Sequence, residues 1–84
     1  MTPVRIYTSV PCGYCNAAKR FFDERTIAFE EIDLSDDADA RDALRRQTGQ
    51  RTVPQIFVGE VHVGGYTDLI ALARDGRLDE LLNS

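Results

Sequence analysis

The sequence predicts an α/β fold, a four-stranded mixed sheet flanked by helices in the order β-α-β-α-β-β-α. Two observations carry this reading. Short apolar or alternating runs that read as strands are separated by longer segments with helical spacing, and such strand–helix–strand units imply parallel pairing through helical crossovers. Near the end of the chain, Gln55–Val58 and Val61-His62-Val63 are joined by Gly59-Glu60, a spacing that predicts an antiparallel hairpin on the sheet edge. The length of 84 residues sets the scale: one domain over 1–84, burying roughly 60–65% of the surface its unfolded chain exposes.

Each element has its own signal. Val4 to Tyr7 alternates apolar and polar residues and predicts the first strand, with Thr8 to Pro11 as a turn. The first helix is expected from about Cys12 to Arg25, with Ala18, Phe21 and Phe22 at core-facing helical spacing. Ala28 to Leu34, carrying Phe29, Ile32 and Leu34, predicts the second strand. Ser35-Asp36-Asp37 is an N-cap cluster opening a helix through Ala40, Ala43 and Leu44. Gly49 is placed to close it as a C′ glycine. After the hairpin, Gly64-Gly65 lead into a helix from about Tyr66 to Arg74, and a short helical piece, Leu78 to Leu82, follows Gly76.

Composition excludes several functions. A net charge of −4 with both signs interspersed gives no basic face for nucleic acid. No stretch approaches the ~20 apolar residues of a membrane span. Met1-Thr2-Pro3 runs straight into Val4-Arg5-Ile6-Tyr7 without a basic segment followed by an apolar one, so the cytoplasm is the expected compartment.

Cys12 and Cys15 are the only cysteines. A disulfide between them closes a tiny loop and stabilises the fold little by chain entropy, so a Cys-x-x-Cys at a strand-to-helix junction reads as redox chemistry. Three residues apart at a helix start, the two side chains share a face. The free N–H groups and positive dipole end of the helix favour a thiolate on Cys12. Cys12 is therefore the expected nucleophile, and Cys15, one turn in and more buried, the resolving thiol. The pair could also begin a zinc site, but only His62 could join it, short of the four ligands a structural site needs. His62 otherwise reads as a surface strand residue. Pro54, at the mouth of a strand, reads as a strand-start proline or as a cis peptide; the rarity of cis bonds favours the first.

Together, Tyr7-Thr8, Cys12-Gly13-Tyr14-Cys15, Ala18-Lys19, Thr52-Val53-Pro54-Gln55-Ile56-Phe57, and Gly64-Gly65 followed by Asp68-Leu69 resemble glutaredoxins, specifically the short bacterial dithiol, glutaredoxin 3-like class. The resemblance implies a thioredoxin fold, a cis peptide before Pro54, and electrons drawn from glutathione. It implies that Tyr14 flanks the bound tripeptide, and that Thr52 and Val53 pair its cysteinyl backbone beside Pro54. At a helix start, the N–H groups of Thr67 and Asp68 would take the γ-glutamyl carboxylate and the Asp68 carboxylate its amine. Arg41 matches a position that faces the glycyl carboxylate, for which a guanidinium fork is suited. The implied partners are disulfide-containing or glutathionylated proteins, ribonucleotide reductase among them, met by a monomer.

The sequence departs from the resemblance at two positions. Ser9 stands where relatives usually carry Lys, leaving Lys19 and Arg51 as possible sources of the missing charge. Gly13 stands where the dithiol class commonly has Pro, which preorganises the first turn. Some glutaredoxins with a small residue there hold a glutathione-ligated [2Fe–2S] cluster between two subunits through the first cysteine of each. The chain also ends Leu81-Leu82-Asn83-Ser84, unlike the aromatic, Gly-containing tail usual in glutaredoxin-like proteins fed by thioredoxin reductase.

Overall fold

The computed structural model describes residues 2–84. Its elements are β1 (Val4–Thr8), α1 (Gly13–Glu24), β2 (Glu30–Asp33), α2 (Ala38–Thr48), β3 (Gln55–Val58), β4 (Val61–Gly64), α3 (Tyr66–Arg74) and α4 (Arg77–Leu82). The strands form one sheet in the order β2-β1-β3-β4. β2 is shorter than the sequence reading, because Ala28 and Phe29 lie ahead of its ladder; Phe29 packs against the core instead.

Strand periodicity assigns the faces. Val4 and Ile6 of β1 and Ile56 and Val58 of β3 point to one side, where α1, α3 and α4 supply Ala18, Phe21, Phe22, Leu69, Leu78 and Leu82. Tyr7, Ile32 and Phe57 belong to the other side, with Leu34 and with Leu44 of α2. Phe22 and Ile6 are fully buried, and each such side chain contributes about 1.5–3 kcal/mol relative to exposure. β3, at the centre, is buried at all four positions, while the edge strand β2 exposes Glu30 and Glu31, a charge pattern that discourages edge pairing.

One expectation about direction is corrected. β1-α1-β2 is a parallel unit as anticipated, but β3 runs antiparallel to β1, with Tyr7 opposite Gln55 and Val4 opposite Val58. The chain leaves α2 through Gly49, whose φ of +73° reverses it, and residues 50–54 lead it into β3 from the end where β1 finishes. This reversal makes the site: residues just after β1 and residues just before β3 lie at the same end of the sheet.

Candidate active site

Cys12 follows β1 and is the N-cap of α1, in extended conformation with φ −157° and ψ 103°. Its Sγ accepts the Cys15 N–H at 3.0 Å, so the sulfur takes the place an N-cap oxygen fills elsewhere. Cys12 and Cys15 form a disulfide with Cα atoms 5.2 Å apart. Cys15 is 1% exposed and Cys12 half-buried, so only Cys12 can be reached from outside. On reduction, a thiolate at Cys12 meets the positive end of α1 and its unsatisfied N–H groups.

The cation expected to replace the missing lysine does not come from Lys19. Its ammonium is paired with Glu31 at 3.0 Å, and the same carboxylate oxygen accepts from the buried Thr8 hydroxyl at 2.9 Å. Arg51 is exposed and lies in a groove with Arg41 and Arg45.

Two segments flank the sulfur. Ahead of it, Val10–Pro11 is joined by a cis peptide bond that the sequence reading did not anticipate. The Val10 N–H donates to Ser35 Oγ at 2.8 Å, and Asp33 Oδ1 accepts from the Ser35 hydroxyl at 2.6 Å and from its N–H at 2.9 Å. These bonds, the hydroxyl's first, hold the Asp33 carboxyl below its ordinary pKa. Across from it, Val53–Pro54 is cis, as the resemblance implies and against the simpler reading of the sequence. The Val53 carbonyl oxygen lies 3.8 Å from Cys12 Sγ. Among the described residues nothing accepts from the Val53 N–H.

A cleft of about 280 Å³ lined by Tyr14, Thr52, Val53, Pro54, Gly65, Tyr66 and Thr67 opens at this place. Tyr14 is 65% exposed and its ring lies 6.0 Å from that of Tyr66. Gly64, with φ +111°, turns the chain into α3, and a Cβ there would collide with the Asp68 carboxylate. That carboxylate accepts the Gly65 N–H at 2.9 Å. The first bond of α3 runs from Leu69 N–H to the Gly65 carbonyl at 3.0 Å, so the N–H groups of Thr67 and Asp68 precede the helical ladder and are aimed outward.

The structure thus gathers Tyr14, Thr52, Val53, Pro54 and Thr67 in one cleft. Arg41 lies outside it, in an adjoining groove of about 220 Å³ that shares Thr52 and Val53. Its Nε donates to the Leu34 carbonyl at 3.0 Å and its Nη2 to the Ser35 carbonyl at 2.7 Å. Asp68 borders a separate groove of about 690 Å³ between β4, α3 and α4, which contains neither cysteine. Sequence reasoning gave no role to Tyr66 or Gln55. Gln55 could have been noticed as the one polar residue at the head of an apolar strand. His62, expected on the surface, is half-buried against Phe57, with ring centroids 5.0 Å apart. Among the described residues no three potential metal-ligating side chains cluster, and no helix is long and apolar enough to cross a membrane.

Comparison with known proteins agrees with this geometry. The family profile described as glutaredoxin matches residues 4–63. The chain is 46% identical over 84 residues to a glutaredoxin of Pseudomonas aeruginosa, covering 100% of both. It is 40% identical over 82 residues to glutaredoxin 3 of Escherichia coli, covering 98% of this chain and 99% of that one. Among solved structures, a buckwheat glutaredoxin–glutathione complex superposes with a TM-score of 0.89 at 35% identity, covering 98% of this chain and 77% of the other. The architecture is the thioredoxin fold.

Proposed function

The chain belongs to the glutaredoxin family, whose members with such a cysteine pair are thiol–disulfide oxidoreductases, and from that premise we propose that it reduces glutathione mixed disulfides and protein disulfides at the expense of glutathione. The observation that carries this reading is the pairing of an accessible sulfur at a helix N-cap with an unpartnered Val53 N–H in a cleft beside it. The buckwheat relative, solved with glutathione, supports the same ligand.

The Cys12 thiolate attacks the glutathionyl sulfur of a mixed disulfide, forming a Cys12–glutathione disulfide and releasing the partner's thiolate. A second glutathione thiolate attacks the bound glutathionyl sulfur, giving oxidised glutathione and regenerating Cys12. With a protein disulfide, Cys12 attacks one sulfur, and Cys15 then attacks Cys12. The second step leaves the Cys12–Cys15 disulfide and a reduced dithiol, and two glutathiones restore the enzyme. During the first cycle Val53 pairs the cysteinyl backbone beside Thr52 and Pro54, while Tyr14 covers one side of the tripeptide. The N–H groups of Thr67 and Asp68 take the γ-glutamyl carboxylate, and the Asp68 oxygen not bonded to Gly65 takes the amine. The Arg41 Nη1, free of the Leu34 and Ser35 carbonyls, takes the glycyl carboxylate. The substrates are disulfide-bearing or glutathionylated proteins, ribonucleotide reductase among them, met by a monomer in the cytoplasm.

The test is reduction of a glutathione mixed disulfide coupled to glutathione reductase. Cys12→Ser is expected to lose activity, whereas Cys15→Ser keeps it, because glutathione itself resolves the intermediate. Activity that survives Cys12→Ser, or vanishes in Cys15→Ser, contradicts the scheme.

A second reading is favoured by Gly13, where an added Cβ would meet nothing within 4 Å and the helix start stands open to a second copy. Cys12 of two copies, with two glutathione thiols, would then hold a [2Fe–2S] cluster in a dimer acting as an iron–sulfur carrier or sensor. A brown dimer on anaerobic purification with glutathione supports it; a colourless monomer after reconstitution rules it out.

A further inference from the structure

We propose that the buried Gln55 side chain, fixed by His62, is a positioning group that turns the Val53 N–H outward to receive substrate backbone; the claim rests on the glutathione reading above. Gln55 heads β3 and is 0% exposed, an expensive place for an amide unless every polar atom is partnered. All are. Its Nε2 donates to the Thr52 carbonyl at 2.9 Å and to Gln50 Oε1 at 2.9 Å. Its Oε1 lies 2.6 Å from His62 Nε2.

The partners fix the orientation of the amide. The Thr52 carbonyl can only accept, so the Gln55 nitrogen must face it and the oxygen must face His62. An amide oxygen also only accepts, so His62 Nε2 carries a hydrogen; this assignment follows from the network rather than from any observed proton. The ring that supplies the bond is itself packed on Phe57, and His62 stands opposite Phe57 in the β3–β4 ladder, beside its register shift. The edge strand therefore reaches the active-site loop through two hydrogen bonds in series, His62 to Gln55 and Gln55 to Thr52.

Peptide planarity transmits this hold to the cleft. The Thr52 carbonyl and the Val53 N–H belong to one planar trans unit and point in opposite directions. Anchoring the carbonyl inward on Gln55 therefore aims the Val53 N–H outward, where it has no partner among the described residues. The Val53 carbonyl, on the next peptide, stays 3.8 Å from Cys12 Sγ. A donor set in advance binds without the entropy of ordering a loop.

The experiment compares wild type with Gln55→Met, which keeps the length of the side chain but neither donor nor acceptor, and with His62→Phe, which keeps a ring on Phe57 but no N–H. Three quantities are read: KM and kcat for a glutathione mixed disulfide, the Val53 amide resonance, and the rate of Cys12 alkylation by iodoacetamide. Gln55→Met is expected to raise KM about tenfold, the equivalent of one well-made hydrogen bond, with kcat within about twofold. His62→Phe is expected to raise it about threefold on the same grounds. Both shift the Val53 resonance and leave alkylation unchanged, because the Cys12 cap is separate. An unchanged KM and Val53 resonance in a folded variant, even one of lower thermal stability, overturns the proposal. If Gln55→Met does not fold, His62→Phe decides alone. A wild type inactive with glutathione refutes the glutathione reading, and the Val53 resonance still decides whether Gln55 sets that peptide.

Discussion

The two segments that flank Cys12 are each tied down by a polar side chain, and the ties differ in where they sit. Val10, 72% exposed, is held through its N–H by Ser35, which leans on the exposed Asp33. Thr52 is held through its carbonyl by Gln55, 0% exposed. Water can replace Ser35 at the Val10 N–H as soon as the bond opens, so the net gain from making it is small. Water has no such access to Gln55, and losing that bond strips a partner from several groups at once. The comparison teaches that the segment read as binding substrate backbone is the rigidly specified one, while the segment before the sulfur is only lightly restrained. The proposed function calls for that division, since it asks the site to admit protein disulfides of many shapes yet hold one tripeptide in one register.

The largest effect that could break this comparison is on stability. Gln55→Met is expected to lower the free energy of unfolding by about 1–3 kcal/mol, since the Thr52 carbonyl and His62 N–H lose their partner. Urea denaturation measures it, and a loss no larger than that of a surface substitution would erase the contrast. Ser35→Ala is the matching change on the other side and is expected to cost about 0.5 kcal/mol or less, with mixed-disulfide KM unmoved. A KM shift as large as that of Gln55→Met would mean that the two ties are equivalent.

The smallest effect is the pH response of the exposed tie. The folded pKa of Asp33 is depressed by its Ser35 hydrogen bonds, so its contribution is present at neutral pH and disappears as pH falls through the folded value. Solvent access to Asp33 keeps the contribution slight. The urea midpoint of wild type is therefore expected to fall slightly more than that of Ser35→Ala between neutral pH and the acid side of the carboxylate range. Parallel curves for the two proteins would show that this tie contributes nothing to folding.

Much of the site was legible in the residues. Cys12 and Cys15 announce themselves by spacing at a strand-to-helix junction, and the alternation around Val4 and Ile6 marks the sheet face that receives Ala18, Phe21 and Phe22 of α1. The direction of β3 was not legible, because a period of two residues says which face a side chain takes but not which way the strand runs. That lost detail is what brings Thr52 and Val53 opposite Cys12. Gln55 and His62 escaped for a related reason: they are seven residues apart, on two strands, and meet only through a pairing that contains a register shift. Lys19 was legible as a cation near the helix start, but its pairing with Glu31 of β2 depends on a crossover that local sequence does not show. Arg41 was legible as a guanidinium on α2, but a helical pattern does not show that it folds back to the carbonyls of Leu34 and Ser35 in the turn before that helix.

The most direct test of the account is to trap its central intermediate. Reduced Cys15→Ser, incubated with oxidised glutathione and examined by intact mass and peptide mapping, is expected to carry one glutathione, on Cys12, with the Val53 amide resonance shifted on adduct formation. Absence of the adduct, or an adduct that leaves the Val53 resonance where it was, would contradict the reading of this cleft as the glutathione site.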